Sequence, residues 1–216
     1  MTEAPVTVPT EYGDGRLTVH RARKRQATLL LSHGAGGGIE ARDLQALAHA
    51  LPRHGFTVAL FEQPWRVAGR RLATPPPTLD VGLTAARQRL RTTGPVVLGG
   101  RSAGARSAAR TADALGAAGV LALSFPLHPP GKPENSRAAE LAATSRPILV
   151  VQGERDAMGR PDEFPDSVDL AVVPAADHGL KVPARGPVTQ EEAMEIVVES
   201  ALEWLTRAVV GNTGGG

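Results

Sequence analysis

The chain contains no cysteine. That removes disulfides, thiolate metal sites and a cysteine nucleophile from consideration. Aromatic residues make up only 3% of it, too few for the stacking platforms that hold unpaired nucleic acid bases. No run approaches the roughly 20 consecutive apolar residues that span a bilayer. The opening stretch "MTEAPVTVPTEYGDG" has no basic start followed by an apolar segment, so no signal peptide is expected. These absences point to a soluble cytoplasmic protein with neither a nucleic acid nor a membrane as partner.

Charge is nearly balanced over the whole chain but not along it. Residues 1–110 hold 16 Lys/Arg against 7 Asp/Glu, and the remainder 8 against 15. The densest basic run, "HRARKRQ" at 20–26, reads as a solvated turn, as such runs usually are. The chain length suits one domain. Residues 1–14 read as an N-terminal extension, 15–210 as the domain, and 211–216, "GNTGGG", as a disordered tail.

Short runs rich in Val, Leu and Ile recur at 28–32, 57–61, 95–99, 120–124, 147–151 and 168–173. Their continuous apolarity predicts strands buried on both faces. Helical patterns lie between them. "EARDLQALAHAL" puts Leu44, Leu47 and Leu51 on one face, and "LDVGLTAARQRL" does the same for Leu79, Leu83, Ala86 and Leu90. "EEAMEIVVESALEWLTRAV" is acidic at its start, as suits a helix N-terminus. This alternation predicts an α/β fold with a mostly parallel sheet and right-handed crossovers. "GRLTVHRA" (15–22) is expected as an antiparallel edge. The proline-rich stretches at 73–78 and 125–133 are expected to be loops.

One serine stands apart. In "PVVLGGRSAGARSAAR" a strand pattern ends in glycines, and Ser102 sits between Gly100-Arg101 and Ala103-Gly104 before a helix begins. Strand, G-x-S-x-G and helix together form a nucleophile elbow, in which a sharp turn lifts the hydroxyl clear of the sheet. Side chains two residues before and two after would strike neighbouring backbone. A serine nucleophile needs a base, and the base an orienting acid, in the chain order Ser, acid, His for this arrangement. Of six histidines, only His178 follows both the serine and the later strands. Asp156, just past the run at 147–151, is the preferred acid. Glu154 shares its turn. Asp177 adjoins His178 and is poorly placed to meet it head-on.

The oxyanion donors expected are the N–H of Ala103 and that of Ala35, with Gly36 second, from "SHGAGGGIEA". His33 is expected to brace that loop. A dinucleotide reading of Gly36 to Ala41, with Glu62 as the ribose-binding acid, leaves Ser102, Asp156 and His178 without a purpose. Arg66, Arg70, Arg71, Arg101 and His128 lie in loops expected to frame the ligand crevice. They suggest an acyl substrate carrying an anionic group, or else residues that brace loops and pair with Glu62 and Asp80. No cofactor or metal is required.

At these residues the chain resembles a small α/β-hydrolase. In size, and in having no long lid insertion, it resembles the dienelactone-hydrolase-like group. It is more specifically similar to the hydrolase-like family that includes testis-expressed protein 30 and a related domain of an NSL histone-acetyltransferase subunit. The matching segments are "LLLSHGAGGG", "FEQPWRVAGRR", "LGGRSAGAR", "FPLHPPGKP", "VQGERDAMG" and "DHGLK". The resemblance implies the fold and a Ser102–Asp156–His178 triad, and it supplies no substrate. Dienelactone hydrolases carry a cysteine nucleophile, which this chain lacks. The expectation is therefore a serine hydrolase acting on an ester-like bond. The alternative is a non-catalytic interaction module on the same fold.

Overall fold

Successive side chains on a strand point to opposite faces of a sheet, and this alternation divides the core in two. The computed structural model describes residues 2–70 and 74–211. Its strands are β1 (Val6–Thr10), β2 (Gly13–His20), β3 (Ala27–Ser32), β4 (Phe56–Glu62), β5 (Val96–Arg101), β6 (Gly119–Leu123), β7 (Ile148–Gly153) and β8 (Asp169–Val173). The helices are α1 (Arg42–Ala50), α2 (Pro64–Val67), α3 (Pro76–Arg89), α4 (Ala103–Thr111), α5 (Ala138–Leu141) and α6 (Gln190–Trp204). Leu29 and Leu31 of β3 join Leu44 and Leu47 of α1 and Val197 and Trp204 of α6 on one face. Leu30 joins Leu83 and Ala86 of α3 and Ala105 and Ala108 of α4 on the other.

The eight strands form one sheet in the order β1-β2-β4-β3-β5-β6-β7-β8. The β1–β2 and β2–β4 pairs are antiparallel and the rest parallel. The chain builds outward from β3 first to β4 and then, on the other side, to β5. The strand order thus reverses between β3 and β5, and the crevice beyond their carboxyl ends is where open α/β sheets place ligands. The elbow at the end of β5 and the glycine-rich loop at the end of β3 both open there. The helices beyond the carboxyl ends of β4 and β6, α2 and α5, have four residues each, so no large lid domain covers the crevice among the described residues.

Four expectations need correction. Residues 1–14 are not a mere extension, because Val6–Thr10 forms the outermost strand and pairs with β2. β2 in turn lies inside the sheet rather than at its edge. β8 is not buried on both faces: it ends the sheet on the other side, with Leu170 38% and Val172 40% exposed. The prolines at 75–77 do not all lie in a loop. Pro76 opens α3, since proline's fixed φ and missing N–H suit the first helical turn. The basic run 20–26 lies at the opposite end of the sheet from the elbow, beside Arg53 and His54 in a hollow of about 750 Å³. Of the tail, only Gly211 lies among the described residues.

Candidate active site

β5 delivers Ser102 in a conformation that non-glycine residues rarely adopt, with φ 53° and ψ −111°. The turn is so tight that a Cβ on Gly100 (φ 154°) would lie 2.3 Å from the Ser32 carbonyl oxygen, and one on Gly104 would lie 2.6 Å from it. Both glycines of the elbow are thus required by backbone that passes too close for any side chain. Ala103 is the first residue of α4, so its N–H has no acceptor within the helix.

The hydroxyl of Ser102 lies 3.0 Å from His178 Nε2, and His178 Nδ1 lies 2.7 Å from Asp156 Oδ2. An ionised carboxylate only accepts, so Nδ1 carries the proton and Nε2 is left to accept from the serine. Asp156 is fully buried, and both of its oxygens are also held by other donors. Oδ1 accepts from the Met158 N–H at 2.8 Å and Oδ2 also accepts from Gln152 Nε2 at 2.8 Å. Gln152 is itself completely buried and also donates to the Gly159 carbonyl. It was missed in the sequence, where it reads only as a polar residue in an apolar strand. The other two acids have different work. Asp177 Oδ1 accepts from the Gly179 and Lys181 N–H groups, closing the histidine loop, and Glu154 accepts from the Ala175 N–H.

The loop after β3 packs on the elbow: a Cβ on Gly34 would meet the Ser102 Cβ at 3.2 Å. Ala35 and Gly36 form the exposed turn that follows. His33 braces this loop. Its Nε2 accepts from the Gln63 N–H at 3.0 Å, so Nδ1–H donates to the Gly34 carbonyl at 2.9 Å. Trp65 meets the ring edge-on. Burial pushes the His33 pKa down, in keeping with a neutral ring that accepts on one nitrogen and donates on the other.

The residues expected to greet an anionic substrate are mostly engaged elsewhere. Arg66 pairs with Glu40 at 2.8 Å. Arg101 lies 3.1 Å from the fully buried Asp43 and donates to the His178 carbonyl. His128 faces the Pro129 carbonyl and Glu163, contacts that raise its pKa. Arg70 is exposed, and Arg71 lies outside the described residues. Glu62 and Asp80 do pair with arginines, but with Arg16 and Arg110. That also leaves Glu62 engaged rather than poised for a ribose. Beyond Asp156, a cavity of about 450 Å³ is lined by His128, Pro133, Arg155, Arg160 and Glu163. Among the described residues no three His, Asp or Glu side chains converge as a metal site, and no helix is long and apolar enough to cross a membrane.

Solved structures share this architecture. A serine hydrolase homologue from Coxiella burnetii superposes with a TM-score of 0.73 at 18% identity, over 93% of this chain and 98% of that one. A Xanthomonas campestris protein, described as a serine hydrolase without a lid, gives 0.73 at 19% identity over 93% and 94%. A dienelactone hydrolase from Anabaena variabilis gives 0.73 at 19% over 96% and 98%. At such identities the likeness is one of fold. The sequence itself carries the kinship further, since the alpha/beta hydrolase domain family matches residues 25–206. That span runs from the strand before the glycine-rich loop to the last helix, and on this basis the chain belongs to the alpha/beta hydrolase domain family.

Proposed function

We propose that the protein is a serine hydrolase that cleaves an ester-like or other acyl bond through an acyl-enzyme, with Ser102 as nucleophile. The observation that carries this is the unbroken chain of hydrogen bonds from Ser102 through His178 to the buried Asp156, starting from a serine held at positive φ. The serine's ψ of −111° takes it out of the left-handed region as well, and strained backbone of that kind clusters at functional sites. In this reading Ser102 Oγ attacks the carbonyl carbon while its proton passes to His178 Nε2. Asp156 fixes the imidazole tautomer and stabilises the imidazolium. The N–H groups of Ala103 and Ala35, or Gly36, receive the charge that develops on the carbonyl oxygen. The imidazolium returns its proton to the leaving group, and water, with His178 again as base, releases the acid.

The finer kinship with the testis-expressed protein 30 and NSL-subunit group belongs to this proposal. It rests on "FEQPWRVAGRR" and "FPLHPPGKP". The substrate is a small acyl compound. Among the described residues Arg66 and Arg101 each have a carboxylate partner, so the case for a negative charge on it rests on the exposed Arg70.

The test is labelling with a fluorophosphonate probe followed by mass mapping, together with turnover of p-nitrophenyl acetate. The adduct is expected on Ser102. Ser102→Ala is expected to lower turnover on the order of 10⁴-fold or more. A folded protein that takes no label, or a Ser102→Ala variant with unchanged turnover, refutes the reading and favours an interaction module.

A further inference from the structure

We infer that Arg101 is a positioning residue, a planar clamp that sets the catalytic base against the nucleophile, with Asp43 locking the clamp in place. This rests on the reading of Ser102, His178 and Asp156 given above. Arg101 is the last residue of β5 and the covalent neighbour of Ser102. Its Nη2 donates to the backbone carbonyl of His178 at 2.5 Å. One side chain therefore joins the residue next to the nucleophile to the main chain of the base. Its Nε lies 3.1 Å from Asp43 Oδ2, with the arginine side chain 17% exposed and the aspartate fully buried. The guanidinium also lies between the two loops that frame the elbow. A Cβ on Gly34, in the loop after β3, would meet Nη1 at 3.7 Å, and one on Gly179, beside His178, would meet Nη2 at 3.8 Å.

Each part of this arrangement follows from the chemistry of the groups. Guanidinium presents several donors in one rigid plane, so fixing one edge fixes the other. Asp43 stands in the first turn of α1, where the helix favours a carboxylate, and its Oδ1 accepts from the Leu44 N–H. Burial raises the Asp43 pKa, and the Arg101 charge opposes that rise. Ionised, the aspartate attracts the guanidinium by charge, although its Oδ2 accepts no well-aligned hydrogen bond. The His178 ring has its own tethers at Ser102 and Asp156, but these act on the ring. Arg101 acts on the backbone that carries it. The distance at stake is the 3.0 Å between Ser102 Oγ and His178 Nε2, and a misplacement of about 1 Å at a reacting pair typically lowers rate on the order of 10²-fold. The sequence leaves Arg101 open between a substrate ligand and a loop brace, and the structure sets its Nη2 on the His178 carbonyl and its Nε 3.1 Å from the Asp43 carboxylate.

The test compares wild type with Arg101→Gln, Arg101→Lys, Asp43→Asn and the double variant Arg101→Gln/Asp43→Asn. The double variant leaves no unpaired buried charge, so it stays interpretable where a single variant unfolds. The deciding readout is the low-field proton NMR resonance of His178 Nδ1–H in its hydrogen bond to Asp156, recorded at a temperature where calorimetry shows each variant folded. It is expected to broaden or vanish in Arg101→Gln and in the double variant. Alongside it, kcat on p-nitrophenyl acetate is expected to fall on the order of 10²-fold with KM little changed. Lysine is expected to rescue poorly, because a single ammonium cannot span both partners. The double variant is expected to be no worse than Arg101→Gln, since the two residues act as one unit. An unchanged His178 resonance in the folded double variant overturns the inference, whatever the rates. Should wild type show no Ser102-dependent turnover, the hydrolase reading fails on its own, and the resonance still decides the role of Arg101.

Discussion

Replacing Ser102 with glycine should make the protein more stable while abolishing its activity. At φ 53° and ψ −111°, Ser102 lies outside even the small left-handed region open to ordinary residues. Conformations of this kind cost about 1–3 kcal/mol when a Cβ is present. Glycine removes that strain, but it makes the unfolded chain more flexible, which costs roughly 0.5–1 kcal/mol. The side chain is only partly buried, so little packing is lost with it. The net expectation is a gain of about 1 kcal/mol, which for a chain of this size raises Tm by roughly 2–4 °C. Ser102→Ala is the control: it removes the hydroxyl yet keeps the Cβ, and therefore keeps the strain. Urea unfolding and scanning calorimetry on the three proteins separate the two effects. Should the glycine variant prove no more stable than the alanine variant, the elbow is not strained and the argument from φ fails.

Asp156→Asn should lower kcat on the order of 10⁴-fold by destabilising the needed tautomer, whereas Asp177→Asn, which keeps an oxygen for its two N–H donors, should be nearly silent; the reverse result would show that the wrong acid has been named. Burial holds His33 below its ordinary pKa of 6.5, so the unfolded chain takes up a proton there before the folded one does. The stability His33 contributes is complete above that value and is lost as pH falls through it toward the depressed folded pKa. Urea titrations between about pH 7 and 5 should then show a shallower slope for His33→Gln than for wild type, and equal slopes refute this. A neutral ester and one of matched size with a distal carboxylate should differ in kcat/KM by less than about threefold at physiological ionic strength, because Arg66 and Arg101 already pair with Glu40 and Asp43; a large, salt-sensitive preference for the anion would restore the electropositive cleft.

The strands that the apolar runs mark, from β3 to β8, are legible because a strand covered on both faces tolerates few polar residues. The same rule misleads at the margins. Leu170 and Val172 belong to an apolar run, but β8 ends the sheet with a neighbour on one side only, and these two side chains meet solvent. β1 escapes notice for the opposite reason. Its run "VTVPT" contains Pro9, which argues against a strand in a sheet interior and is tolerated at an edge. Whether a strand is central or peripheral depends on tertiary neighbours, and a single run carries no information about them.

The site shows the same division. Ser102, Gly100 and Gly104 declare themselves because the elbow is local: five consecutive residues contain the whole steric requirement. Asp156 and His178 follow from the order in which strand ends reach the crevice. Arg101 and Asp43 have no such signature. They lie on different elements, with no spacing that a turn or a helix would impose, and an arginine beside the elbow can be read either as a hand for the substrate or as a brace for the loops. What decides between ligand and brace is whether a buried carboxylate waits within reach, and here Asp43 does, fully buried and 3.1 Å away. A charge without solvent must be answered by another charge or by hydrogen bonds. With Asp43 fully buried beside the elbow, the Arg101 charge already has its answering charge within the protein.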